Sequence, residues 1–151
     1  MDGIVKRFDY NDFAKAVDDL ALKLKDKNFD AILFAARGGA FLAASLAYKL
    51  NIRTMYAINC SNYCGTTKLA TTKLQTLPQI EQSHTNLLFV DEIIDSGETL
   101  NAILDEMSSK YQNFNIYSTA LFQRPTAKIK ANLFLYETDE WIDFFWEDFE
   151  N

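Results

Sequence analysis

The stretch NLLFVDEIIDSGETLNAILDEM, residues 86–107, constrains this chain more than any other, because two periodicities meet in it. NLLFV is a continuous apolar run of the kind a buried strand shows, while Leu100, Ile103, Leu104 and Met107 recur at helical spacing. Between them, DEIIDSGET puts acids, hydroxyls and a glycine where a chain normally turns. The acids are therefore expected at a strand-to-helix junction, and the question is what they face.

Length and composition limit the architecture around that junction. A chain of 151 residues, 48% of them hydrophobic, suits one domain with a real core. With 2 prolines and 5 glycines there is little room for linkers, and no repeat period appears. Cys60 and Cys64 cannot build a disulfide framework, and with only His84 to help they fall short of four good zinc ligands. No positively charged, apolar N-terminus is present, and no stretch approaches the roughly 20 apolar residues of a membrane span. A soluble, cytoplasmic protein is expected. A net charge of −6 argues against a nucleic-acid partner. It leaves room for a small anion held by backbone N–H groups, one or two arginines and a metal.

Along the rest of the chain, Phe13, Val17, Leu20 and Leu24 mark an amphipathic helix, with Asn11 or Asp9 as its cap. AILFA (31–35) reads as a strand, ARGG as a turn, AFLAASLAYKL as a helix and TMYAIN (54–59) as a strand. Residues 60–82, rich in Thr, Gln and Lys with weak periodicity, read as a long, partly mobile loop. IYSTALF (116–122) and ANLFLY (131–136), the last strand, complete the alternation. The pattern predicts an α/β fold, a mostly parallel twisted sheet flanked by helices. Ligands of such sheets bind at the carboxyl ends of the strands, where ARGG and DEIIDSGET both fall.

At the end of a strand, DSGET makes a loop whose backbone N–H groups gather at the positive end of a helix, a seat for phosphate. Ser96 and Thr99 add hydroxyl donors, and Gly97 permits close approach of the backbone. Asp91 and Glu92 would repel phosphate directly and instead suit sugar hydroxyls or a magnesium ion that bridges to phosphates. Asp95 stands between the two regions, placed to accept a proton from a reacting group.

VDEIIDSGETL resembles the phosphoribosyl-pyrophosphate signature of type I phosphoribosyltransferases. The resemblance implies a 5′-phosphate seat at Asp95, Ser96, Gly97, Glu98 and Thr99, ribose and Mg2+ contacts at Asp91 and Glu92, and a general base in Asp95. AILFAARGGAFLAASLAYKLNI resembles the stretch of 6-oxopurine phosphoribosyltransferases that binds pyrophosphate through an Arg-Gly peptide, here Arg37 and Gly38, expected to be cis. FQRP (122–125) and EWIDFFWED (140–148) resemble the purine hood of short bacterial xanthine-guanine phosphoribosyltransferases. There a lysine meets the 6-oxo group and a tryptophan ring stacks on the base. Arg124 and Trp141 occupy those positions, Ile142 would offer backbone groups to the purine 2-position, and Glu147 would join Asp91 as an acid near the metal. Arginine for lysine keeps the charge and changes its reach and geometry. The competing reading of Trp141, Phe144, Phe145 and Trp146 is a C-terminal segment packed on the core. Asn62 and Tyr63 fall where the family has a Ser-Tyr pair before a mobile flap; Lys68 and Lys73 read first as solvated lysines, and in the alternative reading they approach pyrophosphate on closure.

The resemblance covers nearly the whole chain and implies one domain, 1–151, with a mobile loop at about 62–76 and a small hood at about 122–151. It implies transfer of ribose 5-phosphate from phosphoribosyl pyrophosphate to guanine, xanthine or hypoxanthine by a cytoplasmic homo-oligomer, a dimer or a tetramer. Two other readings compete with it. One is a regulator that keeps the fold, senses nucleotides and presents a surface to nucleic acid, against which the acidic balance and the intact Asp95 weigh. The other is the same enzyme class with adenine, orotate or uracil as acceptor.

Overall fold

The apolar runs lie side by side because residues buried on both faces of a sheet need cover above and below. In the computed structural model, which describes residues 5–64 and 67–150, the elements in order are β1 (Val5–Phe8), α1 (Tyr10–Leu24), β2 (Ala31–Ala36), α2 (Ala40–Leu50), β3 (Met55–Cys64), β4 (Thr67–Thr76), β5 (Asn86–Ile94), α3 (Glu98–Lys110), β6 (Asn115–Gln123), β7 (Leu133–Glu137), β8 (Trp141–Phe144) and a 3-10 helix, Phe145–Glu150. The main sheet has six strands in the order β4-β3-β2-β5-β6-β7, parallel except where β3 meets β4. The expected parallel sheet flanked by helices is present. No helix among the described residues is long and apolar enough to cross a membrane.

Each helix is placed by its own residues. Asp9, one of the two expected caps, closes α1 with a capping box: its Oδ1 accepts from Asp12 N at 2.8 Å, and Asp12 Oδ2 accepts from Asp9 N at 3.2 Å. The stripe Phe13, Val17, Leu20 and Leu24 is buried with α2's Leu42 and Leu46 on one face of the sheet. The other face is covered by α3 through Leu100, Ile103 and Met107, against Leu33, Ile58, Leu87 and Phe89. Asn51, in the left-handed conformation (φ 53°), ends α2 and donates back to its last carbonyls.

In three places the structure departs from the pattern. β5 continues four residues beyond its apolar run, so Asp91 and Glu92 lie within a strand, paired to β6 at Asp91↔Ala120 and Ile93↔Phe122. Ladder bonds join backbone groups and need no apolar side chain, so hydropathy alone ends the strand too early. Much of the expected loop at 60–82 is an antiparallel pair, β3 with β4, in the register Cys60↔Leu74, Ser61↔Lys73, Tyr63↔Lys68 and Cys64↔Thr67, with irregularities between. Its β-branched threonines suit a strand even without alternation. The side chains of 61–76, and with them the expectations for Asn62, Tyr63, Lys68 and Lys73, lie outside the described residues.

The third departure is a second, two-stranded sheet in which β1 pairs in parallel with β8, Val5↔Trp141 through Phe8↔Phe144. The hood thus draws on both ends of the chain and not on residues 122–151 alone. Neither strand exceeds four residues, too short for a period to show. An edge-to-face cluster of Phe8, Phe122 and Phe144, with centroids 5.1 to 6.0 Å apart, fastens the small sheet to the large one. Arg7 adds a two-pronged contact to Asp148 at 2.9 and 2.7 Å and a pair with its cross-strand neighbour Asp143 at 3.2 Å.

The entry to α2 depends on Gly39. A Cβ there would lie 2.8 Å from Val90 O and 3.0 Å from Ala35 O, both rigid main-chain atoms. Gly39→Ala is therefore expected to destabilise the protein by about 1–3 kcal/mol and to lower its thermal midpoint by roughly 2–8 °C. Calorimetric melting checks this, and an unchanged midpoint would show that α2 shifts at no cost.

Candidate active site

The carboxyl ends of β2, β5 and β6 bring ARGG, DEIIDSGET and the start of the hood together. Residues 91–100 wrap a cleft of about 250 Å³. Its outer neighbour, about 490 Å³, is lined by Arg37, Gly38, Phe41, Glu92, Trp146, Glu147, Phe149 and Glu150. Glu92 lines both. A Cβ built on Gly38 would fall 1.4 Å from Glu92 Oε2, so the carboxylate occupies the space that the glycine leaves. The two motifs recognised separately in the sequence are in contact through this pair.

At the floor of the inner cleft Asp91 is 6% exposed, and its Oδ1 accepts from Glu92 N at 2.9 Å. Burial, and then the neighbouring Glu92 charge, push the Asp91 carboxyl well above the usual carboxylate range. Burial raises Glu92 as well, opposed by its hydrogen bond with Asp91. Cys60, a half-buried free thiol within β3, lies near enough to feel the Glu92 charge: burial raises it, and a hydrogen bond with Thr99 opposes the rise. Sequence reading weighed Cys60 only for a disulfide or a zinc site, since nothing local announces that β3 brings it near the acids of β5.

The loop after β5 is shaped by Gly97. Its φ of +91° is the left-handed region that favours glycine, and a Cβ would meet Ile129 O at 2.7 Å and Ile129 N at 2.8 Å. Lys128 N donates to Ser96 O at 2.9 Å, so the segment after β6 closes over the loop. Gly97 also serves as the N-cap of α3 without a side-chain cap, and Ser96 Oγ accepts from Glu98 N at 3.2 Å. The first turn of α3, with Thr99, thus opens directly into the 250 Å³ cleft. Asp95 stands exposed at the rim, its Oδ1 3.7 Å from Arg124 Nε.

The remaining predicted residues divide. Arg37, 88% exposed, pairs with Glu150 at 3.3 Å, a partner unforeseen from sequence. The cis peptide is Ala36–Arg37, one bond before the Arg37–Gly38 peptide expected. A match of residue types identifies the turn and not which of its bonds is cis. Glu147 lines the outer cleft with Glu92; burial raises it, and a hydrogen bond from Phe144 N at 3.2 Å opposes the rise. Asp91 lines only the inner cleft, and among the described residues no three acidic, His or Cys side chains gather as metal donors. Phe144, Phe145 and Trp146 take the packing role: Trp146 stacks on Phe144 at 4.6 Å and on Phe41 at 5.3 Å, and Phe145 packs against Phe13. Trp141 stays 52% exposed with no ring partner among the described residues. Ile142 buries its side chain and pairs with Lys6, so only its main chain can meet a ligand. Arg124 is half-buried, and its Nη1 donates to Thr138 O at 3.1 Å and also to Glu140 O.

Comparison with known proteins fits this geometry. The phosphoribosyl transferase domain family matches residues 8–148. The xanthine-guanine phosphoribosyltransferase of Chromohalobacter salexigens is 25% identical over 130 residues, 85% of this chain and 75% of that protein. The solved Helicobacter pylori xanthine-guanine-hypoxanthine phosphoribosyltransferase is 33% identical, with a TM-score of 0.86 over 99% of this chain and 97% of that one. A purine phosphoribosyltransferase from Pyrococcus horikoshii, 23% identical, shares the fold with a TM-score of 0.83 over 94% of this chain and 93% of that one.

The buried acids carry a sign that can be measured. With both pKa values raised in the folded chain, their contribution to stability is fully present below the ordinary carboxylate range. It is lost as pH rises from that range through the raised values. Asp91→Asn keeps an acceptor for Glu92 N and removes the charge. The ligand-free variant is expected to melt a few degrees above the parent at about pH 8, with the gap closing towards about pH 4. Melting curves at the two pH values check this, and a lower midpoint at the higher pH would refute it.

Proposed function

The chain belongs to the phosphoribosyl transferase family, and on that premise we propose that it transfers ribose 5-phosphate from phosphoribosyl pyrophosphate to a 6-oxopurine, releasing pyrophosphate, as a purine salvage enzyme. The observation that carries this reading is the contact of Gly38 with Glu92, which joins an Arg-Gly turn to the phosphate loop on one rim beside Arg124 and the exposed Trp141. The names of the Helicobacter and Chromohalobacter relatives support a 6-oxopurine acceptor.

In this reading the first turn of α3 and the loop Asp95, Ser96, Gly97, Glu98 and Thr99 hold the 5′-phosphate, with the helix dipole favouring its charge. Asp91 and Glu92 face the ribose hydroxyls and the positive charge that develops on the sugar as the bond to pyrophosphate breaks. Arg37 and Gly38 take the departing pyrophosphate, so Glu150 must release Arg37 when substrate enters. N9 of the purine attacks C1′, the C1′–O bond to pyrophosphate breaks, and the N7 proton passes to Asp95. Trp141 offers a face for the base, Arg124 a cation for O6 and Ile142 its backbone for the 2-position.

Magnesium fits the donor set. Two adjacent, desolvated carboxylates with no cation beside them among the described residues, completed by substrate oxygens, are what that ion usually takes, in place of an all-protein cage. Asp91, with Glu92 and Glu147 at the outer cleft, would hold Mg2+, and when bound it would neutralise charge on the pyrophosphate. The single-domain extent 1–151, closure of 62–76, a homo-oligomeric state and a cytoplasmic setting belong to the same reading; sedimentation and cell fractionation address the last two.

Turnover of guanine, xanthine, hypoxanthine and adenine with phosphoribosyl pyrophosphate, with magnesium and with chelator, tests the assignment. The oxopurines are expected to exceed adenine by roughly 10³-fold in kcat/KM, because the 6-amino group turns donors towards a cation. Activity is expected to vanish with chelator. Adenine as best acceptor, or full activity in chelator, would overturn the base or the metal assignment. Asp95→Asn is expected to slow turnover by about 10²- to 10⁴-fold with nucleotide binding nearly kept. A variant as fast as the parent removes Asp95 from the chemistry.

A further inference from the structure

Arg124 holds more of the site together than a contact with the base requires. Its backbone N–H donates to Ile94 O at 2.9 Å, stitching the end of β6 to the end of β5. Its side chain reaches the opposite way, with Nη1 on the carbonyls of Thr138 and Glu140 and Nε 3.7 Å from Asp95 Oδ1. Among the described residues Nη2 has no acceptor. A guanidinium is planar, so once Nη1 grips two carbonyls and Nε faces a carboxylate, the direction of Nη2 is fixed as well.

The two gripped carbonyls belong to the turn that delivers Trp141. Glu140 directly precedes it, and the turn's other polar ties are Thr138 N to Gln123 O at 3.1 Å and Glu140 N to Thr138 Oγ1 at 3.1 Å, the second internal to the turn. Trp141 is half exposed and lacks the ring contacts that lock Trp146 between Phe41 and Phe144. Among the described residues no aromatic ring packs on its indole, which leaves the backbone of 138–141 to place it.

We propose that Arg124 is the positioning residue for Trp141, its Nη1 clamp setting where the base-stacking ring stands relative to Asp95, with Nη2 left to an acceptor on the base. One side chain then couples stacking to polar recognition. A lysine, a point charge on a flexible stem, has no plane with which to do this. The inference rests on the assignment of a purine to this rim and deepens it: loss of the fork should harm the base subsite as a whole and leave the phosphoribosyl pyrophosphate subsite intact.

Two arms test it. Trp141 and Trp146 are the 2 tryptophans of the chain, so Trp146→Phe leaves Trp141 as the sole reporter. In that background Arg124→Lys is expected to raise acrylamide quenching of the ligand-free protein and to shift its emission. Identical quenching overturns the clamp, whatever the substrate. In the second arm, calorimetry with guanosine 5′-monophosphate and with magnesium phosphoribosyl pyrophosphate separates the subsites. Arg124→Lys is expected to weaken the nucleotide about tenfold and phosphoribosyl pyrophosphate by less than about twofold, with the nucleotide penalty shrinking to about twofold in a Trp141→Ala background. An equal penalty with and without the indole would show that Arg124 acts through its own contact alone and would overturn the coupling. A parent protein that binds neither ligand refutes the functional reading, and the quenching result still decides the clamp.

Discussion

The site depends on one strand running past its apolar residues. β5 is central, flanked by β2 and β6, and its pairing with β6 carries on through Asp91, Ile93 and Ile94 after NLLFV has ended. The ladder holds two adjacent carboxylates where water is scarce, and both respond by binding protons more tightly. Burying charge is costly unless a partner compensates. In the proposed reading, a cation and sugar hydroxyls at the strand end would supply that compensation.

Close backbone approach sets the rest of the rim. Gly38 leaves room for the Glu92 carboxylate, Gly39 lets α2 start against Val90 and Ala35, and Gly97 lets the segment around Ile129 lie on the loop after β5. Apart from Gly39 against Ala35, each contact joins residues distant in the chain. Gly97 is required by its positive φ as well as by space, whereas Gly38 and Gly39 are needed for space alone. A side chain at Gly38 would displace the Glu92 carboxylate, and one at Gly39 would press on main-chain atoms.

The C-terminal aromatics divide between packed rings and exposed ones. Phe144 joins Phe8 and Phe122 across the two sheets, and Trp146 lies flat between Phe41 and Phe144. That packing, with Arg7 held by Asp143 and Asp148, makes the hood a firm extension of the core. Trp141 stands outside it, carried by a turn that Arg124 grips. Firm support beneath an exposed ring is what a flat ligand needs, since a ring that moved freely would lose entropy on every binding event.

The alternation of apolar runs with amphipathic helices, the α1 cap down to a choice of Asp9 or Asn11, and the strand-to-helix loop with its glycine were all legible in the sequence, because each depends on neighbours within a few residues. The motif DEIIDSGET and the Arg-Gly turn were legible for the same reason. What tertiary structure decided was everything that joins distant segments. β1 finds β8 from the other end of the chain, β4 pairs with β3 without an apolar period, and Cys60 arrives beside Asp91. Glu150 meets Arg37, Arg124 turns towards the carbonyls before Trp141, and the cis bond falls at Ala36–Arg37. Local propensity and hydrophobic period act over one strand or one helix, whereas backbone ladders and close contacts between strand ends are blind to side-chain pattern and exist only once the sheet has assembled.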